Sequence, residues 1–235
     1  MEQLYKIAGL AVRMDTFGRT QKQAEPYLSA DATPDVDIVI SSDWKLLQSR
    51  QPHLSDEDCE YMATGASFYK QLMNHDGLML HSSAVVVDGR AYLFSAPCGT
   101  GKSTHTKLWL KQFGPRACIL NDDKPALRLE DGVWYAYGTP WSGKYDISTN
   151  CRAALAGIAL LERGTDNKME AYGGVDAIRL LLNQMVRPPD SASRVKLLEL
   201  TDKLVTRVPV WKLTCNMDPE AALVAYEAMS GRKGE

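Results

Sequence analysis

One glycine-rich run, with an apolar segment before it and a helical segment after it, constrains the fold of this chain more than any other feature. Residues 92–94 are apolar and β-prone, as a buried strand requires. Gly99 and Gly101 let the next stretch of backbone turn tightly, with its amides facing an anion and no Cβ in the way. Residues 103–113 read as a helix whose positive N-terminal end points at the same anion. The order of strand, turn and helix predicts a phosphate-binding loop.

The side chains of this loop are those that bind a nucleoside triphosphate together with magnesium. Lys102 supplies a positive charge for the outer phosphates, and the Ser103 hydroxyl is a ligand for Mg²⁺. The run departs from the motif G-x-x-x-x-G-K-[ST] at its first position, where Ala96 replaces glycine. The alternative is an ordinary glycine-rich turn before a helix. The residues predicted to contact the nucleotide are Cys98, Gly99, Thr100, Gly101, Lys102, Ser103 and Thr104.

Length, charge and cysteine content favour an enzyme of the cytoplasm. The 235 residues are enough for one domain, with or without an appendage. The formal net charge of −2 provides no general attraction to nucleic acid or to an anionic membrane. No apolar stretch is long enough to span a bilayer, and residues 1–20 lack a signal-peptide core. The five cysteines are scattered and include no C-x-x-C pair, which argues against a disulfide framework and a zinc site.

The first third of the chain is predicted to be a small α+β appendage, residues 1–76, on a nucleotide-binding domain, residues 77–235. Residues 4–12 and 36–40 have the character of strands, with a polar loop between them. Ser55 is a suitable N-cap for a helix that ends near residue 74. This segment carries no recognisable chemistry, so we expect a structural cap or a surface that faces the substrate.

The second domain is predicted to alternate strands and helices around the glycine-rich loop. Asp88-Gly89 and Asp131-Gly132 are strong signals for hairpin turns, and the last five residues, 231–235, are expected to fray. Strands are expected at 78–80, 84–87, 92–94, 117–120, 127–129, 133–135, 157–161 and 208–213, and helices at 103–113, 175–186, 192–204 and 219–229.

Two adjacent carboxylates, Asp122 and Asp123, form a second candidate group. They follow the apolar run 117–120, which comes directly after the helix that begins at the loop. A nucleotide-binding fold places its metal-binding acid at such a position. One carboxylate can hold Mg²⁺ while the other takes a proton from an attacking hydroxyl. The alternative is a solvated turn, in which Asp is common.

His81 becomes a candidate site residue because of its place in the combined order of the motifs. Along the chain, His81 is followed by a hairpin, the loop at 99–103 and the Asp122–Asp123 pair. This order resembles that of the nucleotide-binding core of HPr kinase/phosphorylase and phosphoenolpyruvate carboxykinases. The resemblance covers about residues 78–145. It implies an α/β fold, the P-loop fold of HPr-kinase/phosphoenolpyruvate-carboxykinase-like proteins, with a mixed, twisted sheet and the small N-terminal α+β segment.

The same resemblance implies roles for the site residues. Lys102 and the loop amides would hold the β- and γ-phosphates, and Ser103 with one or both aspartates would carry Mg²⁺. Asp123 would act as the base on a substrate hydroxyl. His81 would orient the transferring phosphoryl group or touch a second metal. The roles of Asp122 and Asp123 are interchangeable at this point.

A further loop, residues 138–144, is rich in small residues and ends in a lysine. Lys144 or Arg152 is a candidate contact to the transferring phosphate or to the acceptor, since phosphoryl transfer needs a cation there. The alternative is a structural turn with Trp141 in the core and Lys144 in solvent.

The function that follows is ATP-dependent transfer of the γ-phosphoryl group to a hydroxyl, with Mg²⁺ as the second cofactor. The acceptor is a serine of a protein, a serine of a peptide or a small metabolite. The chain is much shorter than a carboxykinase, which favours a hydroxyl acceptor. Two alternatives stay open: a nucleotide-binding regulatory or assembly protein with little turnover, and a phosphorylase that acts on the same phosphorylated acceptor. A homo-oligomer is also left open, whereas no nucleic-acid or membrane partner is expected.

Overall fold

A computed structural model describes residues 2–30 and 35–231 of the chain. Part of the polar loop expected between the first strands, at 31–34, and most of the expected frayed end, at 232–235, lie outside the described residues. Within those two ranges, no helix is long and apolar enough to cross a membrane.

The described residues form twelve strands and seven α-helices. The strands are β1 (Gln3–Ile7), β2 (Leu10–Met14), β3 (Ile38–Ile40), β4 (Gly77–Met79), β5 (Ser82–Val87), β6 (Arg90–Ser95), β7 (Ala117–Asn121), β8 (Ala126–Glu130), β9 (Val133–Tyr137), β10 (Arg152–Arg163), β11 (Lys168–Tyr172) and β12 (Val210–Cys215). The helices are α1 (Gly18–Ala24), α2 (Trp44–Arg50), α3 (Asp56–Leu72), α4 (Lys102–Phe113), α5 (Gly174–Leu182), α6 (Ser191–Arg207) and α7 (Glu220–Ser230).

A mixed sheet of nine strands, counted over the described residues, lies at the centre of the molecule. Seven strands follow the order β4-β8-β9-β10-β6-β5-β7, and β12 joins β10 to β11. The long strand β10 is parallel to β6 and β12 and antiparallel to β9. Its first residues pair with β9 and its last residues with β12. The first residues of β10 therefore lie beside β9, and its last residues lie at the sheet edge where β6 ends.

Two tight turns connect neighbouring antiparallel strands, as the sequence predicts. Asp88 and Gly89, between β5 and β6, have φ angles of +50° and +75°. Asp131 and Gly132, between β8 and β9, have φ angles of +49° and +82°. Two successive residues with positive φ match the right-handed twist of paired strands, and Asp-Gly adopts this conformation readily. Both predicted hairpins are confirmed.

Helices cover both faces of the strand that precedes the glycine-rich loop. Tyr92 and Phe94 of β6 pack in a cluster with the α4 side chain Trp109. Leu93 belongs to a second cluster, which contains Leu200 of α6. Because successive residues of a strand point to opposite faces, a strand covered on both sides reads as a continuous apolar run. This packing explains the run at 92–94.

The N-terminal segment forms a separate three-stranded sheet, β1-β2-β3, together with α1, α2 and α3. The prediction of one strand over 4–12 is wrong, because Ala8 and Gly9 form a turn with φ angles of +52° and +77°. The helix predicted after Ser55 is confirmed as α3, and the Ser55 hydroxyl accepts the Asp58 amide at 3.1 Å. The segment shares a hydrophobic core with β8 and β9.

Helix α5 ends earlier than the sequence predicts, at Leu182 rather than near residue 186. The residues that follow run beside the strand edge that carries His81. The Gln184 carbonyl accepts a hydrogen bond from the His81 amide at 2.9 Å. Residues 183–186 therefore border the same region as His81.

A buried carboxyl group joins α1 to α3. Glu60 of α3 is 1% exposed, and the Thr20 hydroxyl of α1 donates a hydrogen bond to its Oε2. No hydrogen-bond partner is present for Glu60 Oε1 within the described part of the chain. Burial raises the pKa of Glu60 to about 7, although the hydrogen bond from Thr20 opposes the shift. Glu60 is therefore partly protonated near neutral pH.

Glu60→Gln is expected to flatten the pH dependence of stability. The pKa of a glutamate in the unfolded chain is near 4.5, so the folded state binds the proton more tightly. The wild-type protein should lose roughly 3 kcal/mol of stability from this group as the pH rises from about 4.5 to beyond 7. Urea denaturation at about pH 5 and about pH 8 measures the difference. Glu199→Gln, an exposed change on α6, is the control; equal pH slopes for wild type and Glu60→Gln would contradict the expectation.

Candidate active site

The loop between β6 and α4, residues 96–101, folds back so that Lys102, just after it, contacts Ala96 at its start. Gly99 and Gly101 have φ angles of +78° and +123°, which side chains disfavour, so glycine is needed there. Ala96 is not among the described residues with positive φ, and it is buried at 2% exposure. The Ala96 carbonyl accepts a hydrogen bond from Lys102 Nζ at 2.8 Å. Alanine is therefore compatible with the first position of the loop.

Lys102 lies buried between this loop and a pair of carboxylates. Burial lowers the pKa of Lys102, and the charges of Cys98, Asp123 and Asp122 oppose that shift. The Ser82 amide donates to the Asp123 carbonyl at 3.1 Å, and Ser82 pairs with Ser95, the last residue before the loop, so the aspartates lie at the sheet edge where the loop begins. Ser103 is half-buried and Thr104 is exposed in the first turn of α4. The structure thus brings together the loop and the aspartates that the sequence singles out.

Arg163, the last residue of β10, holds the loop from the other side. Its Nε donates to the Thr100 carbonyl at 2.9 Å, and its Nη2 donates to the Gly99 carbonyl at 2.5 Å. Because Arg163 is hydrogen-bonded to these two carbonyls, the amide groups of the loop are able to face a ligand. The sequence analysis missed Arg163, because no motif connects it to the loop.

Asp122 is linked to α4 by a chain of hydroxyl groups. The Ser83 hydroxyl donates to Asp122 Oδ1 at 2.5 Å and lies 2.9 Å from the Thr106 hydroxyl. Thr106 in turn donates to the Ser103 carbonyl at 3.3 Å. Asp122 is thereby fixed beside the first turn of α4, on the side where Ser103 lies.

Asp123 contacts two groups of the opposite charge type. His81 Nε2 lies 3.3 Å from Asp123 Oδ1, and the Lys124 ammonium forms an ion pair with Oδ2. Burial raises the pKa of Asp123, but the hydrogen bond from His81 and the charge and hydrogen bond of Lys124 outweigh it and lower the pKa to about 2. Asp123 is therefore ionised at neutral pH. Lys124 was not singled out by the sequence analysis.

A buried asparagine shapes the turn that presents both aspartates. Asn121 is 0% exposed, and its Oδ1 accepts the amides of Asp123 and Lys124 at 3.0 and 2.7 Å. Its Nδ2 donates to the Thr139 carbonyl and hydroxyl, both at 3.1 Å. The Tyr69 hydroxyl of α3 donates to the Lys124 carbonyl at 2.5 Å. Hydrogen bonds of Asn121, Thr139 and Tyr69 therefore fix the conformation of this turn.

The loop at 138–144 packs against Asp123. A Cβ at Gly143 would lie 2.9 Å from Asp123 Cβ, and the φ angle of Gly143 is +82°, so a side chain there would be strained. The Gly143 carbonyl accepts Arg19 Nη2 at 2.6 Å, and its amide donates to the Tyr61 hydroxyl at 2.9 Å. Lys144 is exposed at the next position. The N-terminal segment, in which the sequence showed no chemistry, therefore contacts the site through Arg19 and Tyr61.

Arg152 lies far from this group, which corrects the expectation that it contacts a transferring phosphate. It is the first residue of β10, whereas Arg163 is the last, and a strand of this length spans about 36 Å. Arg152 Nη1 instead donates to Glu130 Oε2 at 2.5 Å and to the Tyr137 hydroxyl at 3.2 Å. The parallel pairing of β10 with β6 places Arg163, and not Arg152, beside the loop.

Two clefts border the group, and different residues line each of them. A cleft of about 420 Å³ adjoins the loop and the start of α4, with Leu108, Leu161 and Met217 among its lining residues. A second cleft of about 350 Å³ is lined by His81, Asp123 and Lys124 and by residues 183–186. Among the described residues, no residue lines both clefts. The site can thus be reached from two directions.

The donor groups for a metal ion are few. In the part of the chain that the structure describes, no cluster of three or more His, Cys, Asp or Glu side chains is arranged to hold a metal ion. Ser103, Asp122 and Asp123 offer one hydroxyl and two carboxylates. A cation bound there needs further ligands from water or from a bound molecule.

Comparisons with known proteins identify a distant structural similarity and no family. No protein-family model matches the chain, and no curated protein matches it. Among solved structures, the chain is similar to an HPr(Ser) kinase/phosphatase from Coxiella burnetii, with 11% sequence identity and a TM-score of 0.39. The similarity covers 66% of this chain and 95% of that one.

Proposed function

We propose that this protein binds ATP with Mg²⁺ and transfers the γ-phosphoryl group to a hydroxyl acceptor. The observation that carries the proposal is the closed loop with left-handed Gly99 and Gly101, whose Ala96 carbonyl accepts a hydrogen bond from buried Lys102, at the same sheet edge as Asp122 and Asp123. Phosphoryl transfer depends chiefly on positioning and on charge stabilisation, and this arrangement supplies both.

The loop and α4 would bind the phosphates. Amides of a glycine-rich loop and a helix N-terminus favour anions. Lys102 Nζ, which donates to the Ala96 carbonyl at 2.8 Å, is placed to exchange that carbonyl for phosphate oxygens. Arg163 would keep the loop carbonyls turned away from the negative charge. The apolar side chains of the 420 Å³ cleft would cover the base of the nucleotide.

The residues present fit Mg²⁺. This ion prefers oxygen ligands and is usually bound by one or two carboxylates together with substrate phosphates and water. Ser103 Oγ and the carboxylate of Asp122 are oxygen ligands of this kind, and the hydroxyls of Ser83 and Thr106 connect Asp122 to the backbone carbonyl of Ser103. When bound, the ion neutralises charge on the phosphate oxygens.

Asp123 would take the proton of the attacking hydroxyl. It lines the 350 Å³ cleft, through which an acceptor can reach it from the side opposite the nucleotide. A carboxylate with a pKa near 2 is a weak proton acceptor. Lys124 must therefore move from Asp123 before transfer, and a phosphate is an alternative partner for its ammonium group. His81 would hold the carboxylate in place through its 3.3 Å contact.

Replacing the two arginines at the opposite ends of β10 tests the nucleotide site. Arg163→Ala is expected to weaken ATP binding by about tenfold, because the loop loses two charge-assisted hydrogen bonds that order it. Arg152→Ala, the matched control on the same strand, should leave ATP affinity unchanged. Titration calorimetry with ATP and Mg²⁺ measures both. Equal affinities for the two variants would contradict the assignment of the loop.

Turnover separates the proposed kinase from its two alternatives. ADP release that requires an acceptor would support the kinase. Tight ATP binding with no acceptor-dependent ADP release would favour a regulatory or assembly protein. Pyrophosphate released from a phosphorylated acceptor on addition of inorganic phosphate would favour a phosphorylase.

A further inference from the structure

The cleft beside Asp123 adjoins a second, apolar pocket. The cleft itself, about 350 Å³, has charged and polar side chains at one end, where His81, Asp123 and Lys124 lie. At its other end it meets a pocket of about 150 Å³, and both are lined by Met79 and Val186. The two spaces are therefore neighbours on either side of Met79 and Val186.

The lining of the pocket is nearly all apolar at its base. Met73, Leu78 and Leu197 are buried residues that face it, and Pro188 is buried at its edge. Val186, which lines both spaces, is 55% exposed. Such a surface gains free energy when an apolar group covers it.

The size of the pocket defines the group that fits it. An apolar cavity of about 150 Å³ holds one benzene-sized group. A leucine or phenylalanine side chain has this size, whereas a free serine that reaches Asp123 would leave the pocket empty. Since the pocket and the cleft share Met79 and Val186, an extended chain with one residue at Asp123 would bring a neighbouring side chain to the pocket.

We propose that the acceptor is a serine or threonine residue of a peptide segment with an apolar residue beside it, and that the pocket under Val186 binds that apolar side chain. This inference rests on the proposed kinase function. The acceptor oxygen forms a bond to the γ-phosphorus as the bond from that phosphorus to the bridging oxygen breaks. ADP leaves, and the proton of the hydroxyl passes to Asp123.

Methyl NMR on the full chain tests the pocket without turnover. The methyl groups of Met73 and Met79, isotope-labelled, should shift saturably on titration with N-acetyl-leucinamide and not with N-acetyl-asparaginamide, which has a similar shape but a polar end. The Met217 methyl, in the other cleft, should shift with ATP alone. No shift at Met73 and Met79 would overturn the pocket. If Met217 shifts with ATP while Met73 and Met79 do not shift with the leucine amide, the nucleotide site is intact and only the pocket assignment fails. The failure of this inference is therefore distinguishable from the failure of the proposed function.

Acceptor kinetics test the class of substrate. A capped seryl-leucine peptide should have a kcat/KM about ten- to hundredfold above that of a capped seryl-asparagine peptide. Val186→Asp should remove this preference, whereas Val195→Asp, at a position of the same exposure on α6, should keep it. Equal rates for the two peptides would overturn the proposal. So would phosphorylation of free serine or leucinol in preference to both peptides, or no peptide phosphorylation by a protein that binds ATP.

Discussion

Lys102→Met is expected to lower ATP affinity by about ten- to a hundredfold and to lower turnover further. The ammonium group is buried and donates to the loop carbonyl of Ala96, and methionine preserves most of its length without the charge. The loss of turnover should exceed the loss of binding, because charge builds up on the phosphoryl oxygens during transfer. Calorimetry and ADP release measure the two effects separately.

Lys107→Met is the control for that variant. Lys107 is exposed on the same helix, so its loss changes the net charge equally but leaves the loop untouched. Thermal melting of both variants shows whether the fold persists. A Lys102→Met protein that is folded and binds ATP as the wild type does would remove the phosphate-binding role of the loop.

Asp123→Asn is expected to reduce phosphoryl transfer by a factor of about a hundred to ten thousand while ATP affinity changes little. The amide keeps the shape of the carboxylate but cannot accept the proton of the acceptor. Asp123 faces the acceptor cleft and is held by His81 and Lys124, so its neutralisation leaves the contacts of the loop intact. Single-turnover phosphorylation of a peptide acceptor is the direct measurement.

Asp122→Asn distinguishes the two aspartates. If Asp122 carries Mg²⁺, its amide variant should require a higher Mg²⁺ concentration for half-maximal turnover, and Asp123→Asn should not. The reverse result would exchange the two roles. Because the pKa of Asp123 is held at about 2, its contribution to stability is present above about pH 4 and is lost only as the pH falls through 2. The wild-type kcat/KM, which reports the free enzyme with Lys124 on Asp123, should therefore show no acid limb from Asp123 near pH 5.

Short-range patterns were sufficient to predict the loop and its surroundings. The strand at 92–94, Gly99, Gly101 and the helix from Lys102 lie within a few residues of one another, and each has a local conformational reason. The same holds for the two Asp-Gly hairpins. Where local preference and final structure agree, the sequence alone identifies the element.

The features that could not be predicted from the sequence depend on contacts between residues far apart in the chain. Arg152 and Arg163 are both cations in one strand, and only the register of β10 on β6 selects Arg163 for the loop. Gly143 and Arg19 reach Asp123 through loops far apart in the chain. Strand β11, Lys168–Tyr172, was also not predicted, because Lys168 and Glu170 interrupt its short apolar pattern and its pairing with β12 forms it.

The separation of the two clefts has a consequence for the order of events in catalysis. Because no described residue lines both clefts, neither the nucleotide nor the acceptor blocks the path of the other. Under the proposed function, both substrates would add in either order, and transfer would occur in a ternary complex without a phosphorylated enzyme. Initial-rate plots at several fixed acceptor concentrations should then give intersecting lines, and ADP can depart while the phosphorylated product is still bound.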